Sequence, residues 1–331
     1  MNLTPQALSR EAKSTGFGDE PLEKVFRLMA LLDALNSHPF LKTRIAVKGG
    51  TALNLFYFDV PRLSVDIDLN YIGAADRETM LAERPKLEQA VQAVCSREGL
   101  TVRRMPSEHA GGKWRLTYVA STGASGNLEL DVNFMLRTPL WSPKIAECYP
   151  VGSFKAAPVT VLDPHELAAG KLAALLARSA NRDIFDAHRI LVAPELDHAL
   201  LRLGFVVYGG MNRKDWRTVS PQDVKSDPVD APRDLVPMLR ADLAPSRVEI
   251  TTWLDQLVSE CRERLAIVLP LQAHELEFLE RLNGTGDIAP DLLTADPAMQ
   301  AIIRDHPGLK WKALNVTKRL GVAAGDGESH E

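Results

Sequence analysis

Two aspartates one residue apart, Asp66 and Asp68, close the stretch Lys48 to Asn70, which reads KGGTALNLFYFDVPRLSVDIDLN. Around them Val65, Ile67, Leu69 and Tyr71 alternate with Ser64, Asp66, Asp68 and Asn70. A period of two is that of a strand, so both carboxylates project from one face. Two like charges side by side repel unless a cation neutralises them. Mg²⁺ (or Mn²⁺) suits the pair, because such ions take oxygen ligands and are commonly held by one or two carboxylates together with substrate phosphates. Upstream, Gly49-Gly50-Thr51 reads as a turn that opens a short helix. Backbone N–H groups at such a turn can cradle a phosphate, and the helix dipole favours the anion. The Thr51 hydroxyl can donate one bond more. A nucleoside triphosphate would lie with its phosphates on the glycine turn and its metal on the aspartates, set for in-line attack on the α-phosphorus. A third carboxylate is expected from a neighbouring strand. Glu129-Leu130-Asp131-Val132-Asn133-Phe134 offers Asp131 at mid-strand, with Glu129 in reserve. That acid would assist the metal and accept the proton of the attacking hydroxyl. Arg62 and Ser64, just before the aspartates, either brace their strand or reach the nucleotide.

The elements that must position these groups follow from periodicity. Residues 21–38 repeat Leu22, Val25, Phe26, Met29, Leu32 and Leu35 at helical spacing. A short β-prone run, 44–47, leads into the glycines, and a short helix is predicted over 51–57. Strand 64–71 is followed by a helix over 77–98 whose early turns Pro85 is expected to interrupt. Three strands are predicted at 100–105, 114–120 and 128–134, with a hairpin loop at 121–127. Residues 138–164 hold five prolines and mark the expected crossing to a second domain, giving a division into 1–150 and 151–331. Beyond it the character is helical. Asp163-Pro164-His165-Glu166 is a helix start, with an N-cap acid, proline in the first turn and glutamate three residues on. That helix is expected to reach about residue 180, and further helices at 183–192, 246–269 and 272–282, with a long polar loop over 209–237.

Composition sets outer limits. Of 331 residues, 45% are apolar and 25% charged, which is ordinary globular usage. The net charge of −4 excludes a generally basic coat, so a nucleic acid would have to be met by a local patch. One candidate is Arg103, Arg104, Lys113, Trp114 and Arg115, which suits phosphate contact and stacking as well as it suits a half-exposed strand pair. Three widely spaced cysteines without a CxxC pair point away from disulfides or structural zinc and towards a reducing cytoplasm. The histidines show no metal-ligand spacing. No apolar run approaches membrane-spanning length and the first residues lack a leader's apolar core, so neither a membrane span nor a signal peptide is expected. The polar end, 321–331, is expected to fray.

Taken as a set, Gly49-Gly50-Thr51, then Arg62-Leu63-Ser64-Val65-Asp66-Ile67-Asp68-Leu69, then Lys171 with Arg182-Asp183-Ile184-Phe185-Asp186, resembles the AbiEii/AbiGii nucleotidyltransferase toxins. These are the toxin half of type IV-like toxin–antitoxin and abortive-infection systems and are related to the MenT toxins. The resemblance covers roughly residues 44 to 192. It implies an α+β fold: a polymerase β-like lobe with a mixed sheet, followed by a mainly helical lobe that completes the nucleotide site and carries the acceptor or antitoxin surface. It implies NTP-dependent transfer to an RNA acceptor, tRNA first of all, and a cognate antitoxin. It also implies that Lys171 contacts nucleotide phosphates and that Asp183 or Asp186 completes the site. From the residues alone, Lys171 and Arg178 share a helix face, and Arg182 with Asp186 is an i, i+4 pair. The same metal site would equally serve transfer to a protein or small-molecule hydroxyl, and a third possibility is a module that holds nucleotide without turnover. Oligomeric state is not readable.

Overall fold

The computed structural model describes residues 3–104, 110–178, 180–193 and 196–325, with the backbone alone for Arg104 and 322–325. Met105, at the end of one predicted strand, and residues 326–331 of the expected tail lie outside them.

The chain divides into two compact units, Met1–Leu167 with Pro228–Trp253, and Ala168–Asp227 with Leu254–Glu331. The first is built on a seven-stranded mixed sheet in the order β3-β4-β5-β2-β1-β7-β6. Its strands are β1 Ile45–Lys48, β2 Asp66–Tyr71, β3 Thr101–Arg104, β4 Gly111–Val119, β5 Ser125–Asn133, β6 Lys144–Ala146 and β7 Val159–Val161. Pairs β2–β5 and β1–β7 are parallel and the others antiparallel. Helices α1 (Pro5–Thr15), α2 (Asp19–Ser37), α3 (Gly49–Ala52, widening into a π turn over Leu53–Tyr57) and α4 (Arg77–Arg97) belong to this unit. One face of the sheet is a dry core. Ile67, Leu69, Tyr71, Val47, Leu130, Val132, Trp114 and Leu116 are all buried. Helix α2 packs on β5 and β7 and meets α4, burying Leu22, Val25, Phe26, Leu28 and Leu32. The opposite face carries the half-buried acids.

The predicted helices and central strands form, with three differences in the first unit. The proline-bearing stretch 138–164, read as a crossing, contains β6 and β7. Because β7 pairs with β1, the first unit runs past residue 150 to Leu167. It also reclaims Pro228–Trp253, which short-range periodicity has no means to signal. Leu63 N–H donates to the Met238 carbonyl at 2.7 Å, Arg240 N–H to that of Pro61 at 3.2 Å, and Arg62 bridges Leu239. This pins the loop that enters β2, where Val60 takes a positive φ of 41°. Pro85 does not interrupt α4, whose start is capped by Asp76 accepting from Thr79 N–H at 2.8 Å.

The second unit is helical: most of α5 (Pro164–Ala177), then α6 (Asn181–Val192) and α7 (His198–Gly210). The short α8 (Ala231–Asp234) lies in the returning segment of the first unit. The chain ends with α9 (Ile250–Arg264), α10 (Ala273–Gly284), α11 (Pro297–Asp305) and α12 (Pro307–Gly325). Helix α5 starts as read: Asp163 accepts from His165 N–H at 3.0 Å. Glu166, however, accepts from Leu140 N–H at 3.0 Å. The polar stretch 209–237 is punctuated by short 3₁₀ turns at Trp216–Thr218 and Pro221–Asp223. Helix α12 continues to Gly325, through residues expected to fray. All three cysteines are free and buried. No helix among the described residues is long and apolar enough to cross a membrane.

Candidate active site

Register, which the sequence cannot state, assembles the acids. Asp68 on β2 stands beside Asp131 on β5, and Asp66 beside Glu129. On its other side Asp68 faces Lys48 at the end of β1, while Asp131 faces Lys113 on β4. Directly paired residues point to one side of a sheet. A lateral row therefore crosses four strands as Lys48, Asp68, Asp131, Lys113, with charges in the order plus, minus, minus, plus. Asp66 lies on the same face, one pleat along. Glu129 is taken up by the basic neighbours: Lys113 Nζ donates to it at 2.6 Å, and Arg115 approaches at 3.8 Å. Asp131 is the acid that stands in register with Asp68. Burial, first of all, holds the Asp131 carboxyl above the usual carboxylate range. Asp68 and Glu129 push it the same way, while Lys48 and Lys113 oppose them. Hydrogen bonding to Glu129, with the nearby charges of Asp66 and Asp68, holds the Lys113 ammonium above its ordinary value.

The glycine turn is fitted against this row. Gly49 has φ +69°, and a Cβ there would stand 2.2 Å from Asp68 Oδ2. A Cβ on Gly50 would stand 2.9 Å from Arg62 Nη2 and 3.0 Å from Ser64 Oγ. The two glycines thus let backbone approach a carboxylate on one side and a buried guanidinium on the other. Arg62 is 2% exposed and donates from Nη1 to the Leu63 carbonyl at 2.9 Å, and Ser64 is also buried. These two residues brace the turn. Thr51 is fully buried, and its hydroxyl donates to the Asp66 backbone carbonyl at 2.5 Å. It ties turn to strand and does not present its proton to a ligand. Asn54 Nδ2 caps the Gly50 carbonyl at 2.9 Å. On the acid face Asn70 is buried with neither amide atom hydrogen-bonded.

The donor set fits a hard divalent cation that takes most of its ligands from substrate phosphate and water. Two carboxylates lie in register, a third is one pleat away, and a glycine cradle admits no side chain beside them. Among the described residues no three His, Cys, Asp or Glu side chains converge into a metal cage by themselves.

The second unit gathers the other predicted residues. Lys171, on α5, places Nζ 2.9 Å from Asp183 Oδ1 and 2.9 Å from Asp186 Oδ2, both on α6. Arg178 lies beyond the end of α5, so it does not extend a stripe with Lys171 along one helix. Instead its Nε donates to Asp183 Oδ2 at 2.7 Å. Asp183 and Asp186 are 2% and 0% exposed. Burial pushes the Asp183 carboxyl up, but Lys171 and Arg178 overcome it and hold the group below the usual range. The basic and aromatic patch separates in space. Trp114 is 1% exposed and turned into the core, which removes it as a stacking platform. Lys113 and Arg115 face the acids, and Arg103 donates to Thr117 Oγ1 at 3.2 Å.

Residues 30–313 match the sequence model of the family described as nucleotidyl transferase AbiEii toxin, type IV TA system. The chain belongs to the AbiEii nucleotidyltransferase toxin family. The match extends well beyond residue 192, through the helical part that sequence motifs alone left unassigned. Among solved structures the AbiEii chain resembles MenT4, a nucleotidyltransferase toxin from Mycobacterium tuberculosis H37Rv. The two share 19% identity and a TM-score of 0.57, over 93% of this chain and 99% of that one. At that identity the likeness is one of fold, and it bears out the α+β expectation. No curated protein matches the chain. The sequence reading left Lys48 without a role and placed Lys113 only in the basic and aromatic patch. Lys48 directly precedes the glycine turn, but its partnership with Asp68 depends on strand register.

Proposed function

We propose that this nucleotidyltransferase moves a nucleoside monophosphate from an NTP to the 3′-hydroxyl of an RNA, tRNA foremost, as the toxin of a type IV-like toxin–antitoxin pair. The observation that carries the reading is the registered row Lys48–Asp68–Asp131–Lys113 beside the Gly49 cradle. Asp66, Asp68 and Asp131 would hold Mg²⁺ (or Mn²⁺), which supplies neutralisation of the triphosphate and of charge developing in transfer. Gly49 and Gly50 receive the phosphates on backbone N–H groups. Arg62, Ser64 and Thr51 keep that turn in place. Lys48 and Lys113 limit repulsion among the acids before substrate arrives. Asp131 takes the proton of the attacking hydroxyl. The hydroxyl oxygen bonds to the α-phosphorus as the α–β anhydride bond breaks, and pyrophosphate leaves. Lys171, whose ammonium Asp183 and Asp186 hold, is the residue we propose for nucleotide phosphate. The growth-arresting outcome calls for a cognate antitoxin, and the substrates place the reaction in the cytoplasm.

The test is transfer of label from each α-phosphate-labelled NTP, with Mg²⁺, to total tRNA and to total protein. Label is expected on tRNA with wild type and on neither acceptor with Asp66→Ala/Asp68→Ala. Label on protein alone would move the acceptor from RNA to a protein hydroxyl, and label on neither from wild type would end the transferase reading for these acceptors.

A further inference from the structure

The second unit contains an open cleft of about 590 Å³ that the chemistry above does not use. One wall is α12, where Trp311, Lys312, Asn315 and Arg319 stand at i, i+1, i+4 and i+8 and share a flank. Arg213 and Arg217 face them from the turn that follows α7. Helix α12 carries Lys310, Lys312, Lys318 and Arg319 and no carboxylate. The cleft is strongly cationic in a chain of net charge −4. Its one acid among the described lining residues, Asp215, is already bonded to Arg217 at 2.7 Å. Arg213 and Arg319 have no ion-pair partner among the described residues. Burial holds the Lys312 ammonium below its usual range against the pull of Asp215, and Arg319 pushes it the same way. Lys312 Nζ donates to the Asn212 carbonyl at 2.7 Å. Trp311, on the rim, is 44% exposed, an unusual cost for the largest side chain unless something covers it.

Unpaired guanidinium groups, amide side chains and an open indole are the chemistry of single-stranded nucleic acid recognition, in which cations follow the phosphates and an aromatic ring stacks a base. The exposed Leu314 and Leu320 of α12 are not among the cleft's lining residues, whose apolar side chains are Trp311 and Val316. We propose that this cleft binds RNA, with Arg213, Lys312 and Arg319 on backbone phosphates and a base on Trp311. The inference rests on the reading of RNA as acceptor and names the surface that holds it.

Fluorescence anisotropy of fluorescein-labelled tRNA with the full chain, repeated over a KCl series, tests it. Removing two phosphate contacts with Arg213→Ala/Arg319→Ala should make the slope of log affinity on log salt shallower by about 1.4 to 1.8. Trp311→Ala should weaken binding roughly tenfold, and Trp311→Phe should restore most of it. Arg213→Lys/Arg319→Lys should keep the wild-type slope, which a folding defect would not explain. The proposal is overturned if wild type binds no tRNA, or if the double alanine variant binds with wild-type affinity and slope. Label transfer run in parallel separates the two readings. Wild type that labels tRNA beside a double alanine variant that binds normally removes the cleft and leaves the acceptor. Cleft-dependent tRNA binding with label appearing only on protein does the reverse.

Discussion

Substituting Gly49 by alanine should cripple the enzyme far more than it destabilises it. The added Cβ would sit 2.2 Å from Asp68 Oδ2, and ordinary contact begins near 3.4 Å. The carboxylate must therefore retreat by about 1 Å, the scale of misplacement that costs on the order of 10²-fold in rate at a catalytic group. The backbone adds its own cost, because φ is +69°, and an L-residue there loses about 1–2 kcal/mol. Gly99 separates the two effects. It has φ +72° and nothing within 4 Å of its absent Cβ. Gly99→Ala should lose comparable stability and keep full activity. The assay is initial-rate label transfer to tRNA at saturating Mg²⁺, beside thermal unfolding of wild type and both variants. If Gly49→Ala unfolds like Gly99→Ala yet transfers label at the wild-type rate, Asp68 does not hold the reacting metal where the register places it.

Three further outcomes follow from the same structure. Asp131 is held above the usual carboxylate range, so the folded chain binds its proton more tightly than the unfolded chain. The stability this gives is complete below ordinary carboxylate pH and is lost as pH rises through the raised value. Asp131→Asn should therefore melt higher than metal-free wild type at neutral pH while transferring label about 10²–10⁴-fold more slowly; a lower melting point would contradict the burial argument. Lys171→Met would leave the buried Asp183 and Asp186 short of their shared cation, and denaturant unfolding should show a loss of about 3–5 kcal/mol. An unchanged midpoint would mean that Lys171 is not needed to compensate them. Thr51→Val removes the bond to the Asp66 carbonyl and should cost about 0.5–1.5 kcal/mol for the lost hydrogen bond, which Thr51→Ser should recover; equal losses in both variants would place the effect in packing instead.

The sequence by itself determined what depends on local period and residue type. Alternation across 64–71 put Asp66 and Asp68 on one face, the glycines announced a close backbone approach, and the run 128–134 offered Asp131 with Glu129 in reserve, although β5 starts earlier, at Ser125, and has Glu129 at its middle. The helix start at Asp163-Pro164 is legible for the same reason, since its capping atoms lie within a few residues. Tertiary structure decided whatever requires distant segments to meet. Only register sets Lys48 against Asp68 and Lys113 against Asp131, and only the folded chain shows Glu129 engaged by Lys113. In the sequence Thr51 reads as a donor to phosphate and Arg62 as either a brace or a nucleotide contact; only the tertiary structure shows that both are buried, with the Thr51 hydroxyl on the Asp66 carbonyl and the loop around Arg62 bonded to residues 238–240. Those residues arrive from far along the chain, as β7 does across a proline-rich stretch. Residue type shows that Trp114 and Trp311 are aromatic, but the pleat of β4 buries the first and the flank of α12 exposes the second.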